Sequence, residues 1–169
     1  MSEPIAVIQP DVVDLLIRDH EKIRVMLKET LPNLQEGAEL DRASRVAETP
    51  MRLEALRREV EAHLFIEEQA FYPQLLKFDD IRSLITRCHE EHRTARTELH
   101  EALKLGATFE RISKSIAALQ ADLEKHIQFE ESELFPLVRK AMNRTEREAL
   151  GQQLTDARME WRKGAGKAA

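Results

Sequence analysis

The stretch HLFIEEQAFYP, residues 63–73, decides the fold because the chain carries it twice: HIQFEESELFP follows at residues 126–136. In both copies a glutamate stands four residues after the histidine, a second glutamate five, an aromatic residue nine and a proline ten residues after it. Although the chain contains 23 glutamates, a chance match at all four positions has a frequency of roughly 1 in 10,000 per histidine. The repeat therefore indicates a duplication or a shared function.

A shorter repeated pattern precedes each copy. DHEKIR at residues 19–24 and EHRTAR at residues 91–96 both read acid, histidine, three residues, arginine. Because each long stretch follows one short pattern, the self-similarity predicts two helical hairpins of the same design.

The composition favours helices throughout. The 169 residues include only 5 Gly and 6 Pro and are rich in Leu, Ala, Glu and Arg, which are strong helix formers. At 19.5 kDa the chain most simply forms one domain over residues 1–169. We predict an all-α fold, an up-down-up-down four-helix bundle over about residues 11–142. An additional C-terminal helix over about residues 145–163 begins with the capping box Thr145–Glu148.

Capping residues and prolines predict the bounds of the first two long helices. Asp11 caps the first. After a short helical piece over residues 39–48, Thr49 caps the second helix and Pro50 occupies its first turn. Pro73 then ends or kinks this helix, because proline has no amide hydrogen to donate.

Similar signals bound the next two helices. The third is predicted to begin at Asp79 or Asp80 and to end at Gly106, a suitable C-terminal breaker. The fourth begins near Thr108 and continues past Pro136.

The charge bears on the possible partners, and the cysteine count and N-terminal sequence bear on the location of the protein. The formal net charge is -5 and no dense Lys/Arg block is present, so we expect neither nucleic acid nor an anionic membrane surface as a partner. Cys88 is the only cysteine, and the N-terminal MSEPIAVIQP lacks the features of a signal peptide. We therefore expect a cytoplasmic protein.

The repeated spacing favours metal chemistry. Positions four apart on an α-helix are displaced by about 40° and 6 Å, so His63 and Glu67 project from one face. His126 and Glu130 do the same on their helix. Two buried glutamates would cost several kcal/mol each unless neutralised. With His20 and His92 on the other two helices, four imidazoles and two carboxylates suit a pair of iron, manganese or zinc ions bridged by the carboxylates.

This constellation resembles the hemerythrin-like, or HHE cation-binding, family over nearly the whole chain. The resemblance implies an oxo- or hydroxo-bridged pair of non-heme iron ions in a four-helix bundle, with iron favoured over zinc or manganese. It further implies that the protein binds or senses dioxygen or a related small oxidant, hydrogen peroxide or nitric oxide. The residues that match the family's ligands are His20, His63, Glu67, His92, His126 and Glu130.

The third helix departs from the family's oxygen carriers, which the resemblance associates with a His-x-x-x-His pair there. Position 88 is Cys and position 96 is Arg, so no second histidine lies four residues from His92. His89 is predicted as a fifth imidazole ligand, a group beside the ligands or a surface residue. Two alternatives to binding or sensing stay open: an enzyme that decomposes peroxide or reduces nitric oxide, and iron storage, delivery or a metal that only stabilises the bundle.

The remaining polar and aromatic residues near the ligands receive structural interpretations. Glu68 and Glu131 stand 100° around from the ligand glutamates and are interpreted as groups of the surface or of a helix interface, with contact to the metal ligands as the alternative. Tyr72 and Phe135 are interpreted as core packing that shields the site, and Cys88 as a small buried hydrophobe.

Overall fold

The computed structural model describes residues 10–31 and 42–165, with only the backbone of residues 42–47 and 165. These residues are helical apart from short connections, and no strand occurs among them, which confirms the predicted all-α class. The helices pack into a bundle. Their bounds are α1 (Val12–Thr30), α2 (Arg42–Ile66), α3 (Tyr72–Leu75), α4 (Asp79–Ala102), α5 (Phe109–Phe129), α6 (Phe135–Ala141) and α7 (Arg144–Ala165).

The predicted cap of α1 by Asp11 and the predicted start of α5 near Thr108 are confirmed. Asp11 Oδ1 accepts a hydrogen bond of 2.9 Å from the Val13 amide, and Thr108 Oγ1 accepts one of 3.2 Å from the Arg111 amide. Each side chain satisfies an amide that has no partner within the first helical turn.

The predicted start of the second helix at Thr49 and Pro50 is wrong. α2 already begins at Arg42 and passes through Pro50, which is exposed to solvent. Because proline has no amide hydrogen, the helix lacks one backbone hydrogen bond there. Part of the predicted short piece, residues 39–41, lies outside the described residues, and residues 42–48 are the first turns of α2.

A π-helical turn lies in each copy of the repeated stretch. The first π turn spans Glu67–Phe71 and the second spans Glu130–Leu134. The residue after each turn donates its amide hydrogen to a carbonyl five residues back, that of Glu67 or Glu130. Both turns directly precede a proline segment, where a regular α-helix would press the ring against the carbonyl four residues back. Hence the helix does not end near Tyr72, and α3 continues it to Leu75.

Two other predicted boundaries need correction. α4 ends at Ala102, and Gly106 lies in the following connection with a φ of 78°, a conformation that glycine adopts without strain. The capping box of α7 is formed by Asn143 and Glu146, not by Thr145 and Glu148. The Asn143 amide donates to Glu146 Oε2 at 2.7 Å, and the Glu146 amide donates to Asn143 Oδ1 at 3.0 Å.

The hydrophobic core has two clusters of buried residues, one on each side of a polar layer. Along α1, Leu16 belongs to the first cluster and Ile23 to the second, and His20 lies between them. Along α5, Leu123 belongs to the second cluster and Phe129 to the first. The polar layer is therefore closed off by apolar packing above and below. No helix within the described ranges is long and apolar enough to cross a membrane.

Candidate metal centre

Six polar side chains meet in the layer between the two core clusters. They come from α1, α2, the first π turn, α4, α5 and the second π turn, and each is no more than 1 % exposed. Charged and imidazole groups are seldom buried so completely unless they are paired or bind a metal. These residues are His20, His63, Glu67, His92, His126 and Glu130.

The first metal group consists of His20, His63, Glu67 and Glu130, which offer one ligand atom each within 4.8 Å of one another. His20 Nε2 lies 3.2 Å from Glu130 Oε2, and His63 Nε2 lies 3.4 Å from Glu67 Oε2. The group thus combines two imidazoles and a carboxylate from the first repeat with a carboxylate from the second.

The second metal group consists of Glu67, His92 and His126. The Nε2 atoms of the two histidines are 3.2 Å apart, and His92 Nε2 lies 3.2 Å from Glu67 Oε2. Glu130 is near as well, with Oε2 3.6 Å from His126 Nε2. Because Glu67 belongs to both groups, it is placed to bridge two ions.

The unsatisfied atoms of the first group show that these residues fit a metal. His20 Nε2, His63 Nε2, Glu67 Oε1 and Glu130 Oε2 are buried and have no hydrogen-bond partner in the described structure. Atoms bound to one ion at about 2.0–2.2 Å lie roughly 3.0–3.5 Å apart, which is close to the separations observed across both groups. A cation in the first group would satisfy nitrogen and oxygen atoms that otherwise carry a desolvation cost.

The outward nitrogens of two ligand histidines are held by the glutamates five residues after the repeated histidines. His20 Nδ1 lies 2.9 Å from Glu131 Oε1, and His92 Nδ1 lies 2.9 Å from Glu68 Oε1. The interpretation of Glu68 and Glu131 as surface or interface groups is therefore incomplete. A carboxylate on the outer nitrogen fixes the ring orientation and leaves Nε2 free for a metal.

An arginine also binds each of these two glutamates. It is the arginine that ends the short pattern, Arg24 in the first half and Arg96 in the second. Arg24 Nη1 donates to Glu131 at 3.1 Å, and Arg96 Nη1 donates to Glu68 at 2.8 Å. The arginine charge and the contact with His92 lower the pKa of Glu68 to about 2, although burial raises it. Each carboxylate is thus ionised and ready to accept a hydrogen bond from its histidine.

These contacts exchange partners between the two repeats. We define the first half of the molecule as residues 12–75 and the second half as residues 79–141. His20 of the first half is held by Glu131 of the second, and His92 of the second half is held by Glu68 of the first. The two halves therefore orient each other's imidazoles.

The pKa values of the imidazoles reflect the concentration of carboxylates. Burial alone would lower the pKa of His20, but contacts with Glu130 and Glu131 raise it to about 9. Burial also opposes the charged form of His126, yet the charge of Glu130 and the contact with Glu67 raise its pKa to about 10. The carboxylates thus favour positive charge in this layer, which a bound cation would supply.

Tyr72 belongs to the site rather than only to its packing, which the sequence interpretation missed. Its hydroxyl donates to Glu130 Oε1 at 2.9 Å and lies 3.2 Å from Glu67 Oε2 and 3.1 Å from His92 Nε2. Burial, followed by the charges of Glu130 and Glu67, raises the pKa of Tyr72 well above its usual value. The signal was present in the repeat, since the second copy has Phe135 at the same position.

The first π turn explains why Tyr72 reaches the site. On an α-helix a residue five positions after Glu67 would lie about 140° around from it. In a π turn the residue five positions later lies roughly one turn further along the same face. The backbone hydrogen bond from Tyr72 to Glu67 therefore brings the phenol over the carboxylate.

Other candidates lie outside the two metal groups. His89 is 48 % exposed, and its Nδ1 lies 3.9 Å from Glu68 Oε1, whereas His92 is buried within the second group. His100 is 79 % exposed. Cys88 is buried as expected, with Sγ 3.9 Å from Glu130 Oε1, and burial raises the pKa of its thiol above the usual value.

Comparison with known proteins places the chain in a family of cation-binding domains. The family model for the hemerythrin HHE cation-binding domain matches residues 11–138, well over half of the chain, and matches again over residues 80–167. No curated protein and no solved structure matches the chain. The first match contains both metal groups described above.

Proposed function

The chain belongs to the hemerythrin HHE cation-binding domain family, and we propose that it is a non-heme di-iron protein that binds or senses dioxygen or a related small oxidant. The observation that carries this proposal is the pair of buried metal groups joined by Glu67. The up-down-up-down order of the long helices and a cytoplasmic location are parts of the same proposal.

The donor atoms are compatible with iron, and the proposal of iron over manganese or zinc follows the resemblance to the hemerythrin family. The two groups offer imidazole nitrogens and carboxylate oxygens without a thiolate, a donor set suited to iron, manganese or zinc. When bound, a pair of iron ions would exchange electrons with an oxidant and offer it an open coordination position. The protein's own part is to exclude bulk water by the apolar clusters and to orient the imidazoles through Glu68 and Glu131.

Metal analysis and absorption spectroscopy test the proposal. Protein from iron-replete cells should contain about two iron ions per chain and show a charge-transfer absorption that changes on titration with dioxygen, peroxide or nitric oxide. His63→Ala should lose this absorption. His100→Ala is the matched control, because that histidine is largely exposed and outside both groups. A folded, metal-free protein, or iron-loaded protein that responds to none of the three ligands, would refute the proposal.

A second candidate function is enzymatic decomposition of hydrogen peroxide, which the position of Tyr72 favours. Two peroxide molecules would yield two waters and one dioxygen without an external reductant. The Tyr72 hydroxyl keeps its proton because of the raised pKa, and it points at the ligand atoms of the second group. It can therefore donate a hydrogen bond to a ligand bound there and stabilise negative charge that develops on that ligand.

Dioxygen release distinguishes this enzyme from a binding protein. Iron-loaded protein should evolve dioxygen over many cycles, and Tyr72→Phe should lower the rate by about tenfold because the hydrogen bond to the bound ligand is lost. A single stoichiometric reaction followed by bleaching would leave binding or sensing as the function.

A further inference from the structure

Each short pattern begins with an acidic residue, Asp19 in the first half and Glu91 in the second. The two carboxylates contact a histidine and an arginine in different ways. In the second half, Glu91 uses separate oxygens: Oε2 lies 2.9 Å from His126 Nδ1, and Oε1 accepts a 2.7 Å hydrogen bond from Arg87 Nε. Both partners of this carboxylate are satisfied. The Nε2 atom of His126 is thereby directed into the second metal group.

In the first half, Asp19 offers one oxygen to two partners. Its Oδ2 accepts a hydrogen bond from Arg158 Nη2 of α7, and the same oxygen lies 3.7 Å from His63 Nδ1, beyond hydrogen-bond length. His63 Nδ1 has no hydrogen-bond partner in the described structure. Asp19 is one methylene shorter than Glu91, and in this arrangement its Oδ2 reaches Arg158 but stays 3.7 Å from His63 Nδ1.

The arginine that takes this oxygen comes from outside the repeat. α7 packs mainly against α1, α2 and the first π turn. Arg158 contacts Glu59 of α2 as well, with Nη1 3.4 Å from Oε1. Its guanidinium thus ties α7 to two helices of the first half, and Asp19 is one of its two carboxylate partners.

We propose that Arg158 is a positioning residue that draws Asp19 away from His63, so that docking of the C-terminal part of α7 and metal binding by His63 oppose each other. The inference rests on the proposed metal binding. An imidazole that binds metal through Nε2 keeps its proton on Nδ1 and is a stronger ligand when a carboxylate accepts that proton's hydrogen bond. Metal binding would therefore draw Asp19 Oδ2 towards His63 Nδ1. Arg158 would then lose its contact with Asp19 and keep only the contact with Glu59.

We expect only the C-terminal part of α7 to move when the Arg158–Asp19 contact is lost. The beginning of α7 is held by other contacts. A Cβ atom added to Gly151 would come within 2.1 Å of the Pro10 carbonyl oxygen, so α7 touches the backbone there. Arg147 Nε donates to Asp11 Oδ2 at 2.7 Å. Thermodynamic linkage makes this coupling reciprocal. If metal binding weakens the Arg158–Asp19 contact, that contact weakens metal binding by the same free energy.

Zinc release from the full chain tests the proposal. Zinc-loaded wild-type protein is mixed with a coloured chelator, and the phase that belongs to the first group is identified with His126→Ala, which removes the second group. Arg158→Ala should slow this phase about tenfold, because Asp19 then turns to His63. Arg87→Ala is the matched control and should not slow either phase, since Glu91 already serves His126 with its other oxygen.

Two further measurements separate positioning from a general loss of stability. Trp161, the only tryptophan, lies three residues after Arg158 on α7. Zinc should change its fluorescence and speed amide exchange near Arg158 in the wild type. Asp19→Glu, which copies Glu91, should slow release from the first group and abolish the response of α7, and it tests the proposal even if Arg158→Ala folds poorly.

The outcomes distinguish this inference from the proposed function. Unchanged or faster zinc release in Arg158→Ala, or an α7 that does not respond to zinc in the wild type, overturns the coupling and leaves the metal centre intact. A wild-type protein that takes up neither zinc nor iron overturns both. Zinc uptake with the predicted coupling but without iron uptake refutes only the di-iron function.

Discussion

The two halves supply equivalent candidate ligands but surround them differently. The first half contributes His20, His63 and Glu67, and the second contributes the matching His92, His126 and Glu130. At three other matched positions the residues differ: Tyr72 and Phe135, Leu16 and Cys88, Asp19 and Glu91. The repeat therefore fixes where ions can bind, whereas the unmatched residues decide how each position behaves.

The clearest difference lies in the aromatic residues nine positions after the repeated histidines. Phe135 stacks on His20 with ring centroids 5.7 Å apart and an interplanar angle of 7°. Tyr72 is tilted by 36° against His92 and brings its hydroxyl among the ligand atoms of the second group. One ion position is thus shielded by a hydrocarbon ring and the other is adjacent to a proton donor.

Removal of the shared carboxylate should break both halves at once. Glu67→Ala should lose both ions because Glu67 belongs to both metal groups, whereas Glu130→Ala should retain the ion of the second group. Elemental analysis of purified protein gives the metal content, and circular dichroism controls for folding. If the two variants retain equal amounts of metal, Glu67 is not the bridge between the groups.

Removal of the metals should loosen the joint between the halves. The first group takes three residues from the first half and Glu130 from the second, so its ion links them. With free metal at about 100 times the dissociation constant, binding stabilises the fold by about 2.7 kcal/mol. Chelation should then lower the melting temperature by about 5–10 °C. The Glu67→Ala variant is the control, and an equal decrease there would show that the chelator acts on something else.

Disruption of the exchanged carboxylates should weaken the metal groups selectively. Glu131→Ala should weaken the first group through His20, and Glu68→Ala should weaken the second through His92, each by about 10- to 100-fold in affinity. Competition with a chelator during stepwise metal titration measures the two affinities. If Glu131→Ala instead weakens the second group, which contains His126 of its own half, and Glu68→Ala weakens the first group, which contains His63 of its own half, the exchange between halves plays no part in metal binding.

Exchange of the aromatic residues should sharpen the difference between the two ion positions. Tyr72→Phe removes a hydroxyl within 3.1 Å of His92 Nε2 and should weaken the second group by about tenfold. Phe135→Tyr is the reciprocal variant, which adds a hydroxyl beside His20. Stepwise metal titration again supplies the measurement. Equal affinities in Tyr72→Phe and wild type would mean that the phenol serves packing alone.

The sequence was sufficient for the fold class and for the convergence of the six polar side chains. Periodicity and the repeat indicate these because both depend on spacing along regular helices. The helix ends were less predictable: Pro50 and Pro73 look like boundaries by local rules, yet α2 passes through Pro50 and a π turn accommodates Pro73. The turn also changes which face Tyr72 occupies, and an α-helical projection therefore misplaces this residue.

The carboxylates that contact the histidines could not be predicted from the sequence, for a different reason. Glu68 and Glu131 contact imidazoles that lie far away in the sequence, and their contacts depend on how the halves pack. Likewise, nothing in the pattern of α7 indicates that Arg158 would meet Asp19. Spacing predicts which residues share a helix face, but tertiary packing decides which faces meet.

The exchange of carboxylates also bears on how such a molecule can arise. A half that stood alone would lack an acceptor for its own imidazole and would present an unused carboxylate, Glu68 or Glu131. If two identical halves were related by a two-fold axis, the free carboxylate of each would contact the imidazole of the other, as in an isologous dimer. The chain thus has the plan of a homodimer joined into one polypeptide. Once joined, the subunits could diverge, and α7 packs mainly against the first of them.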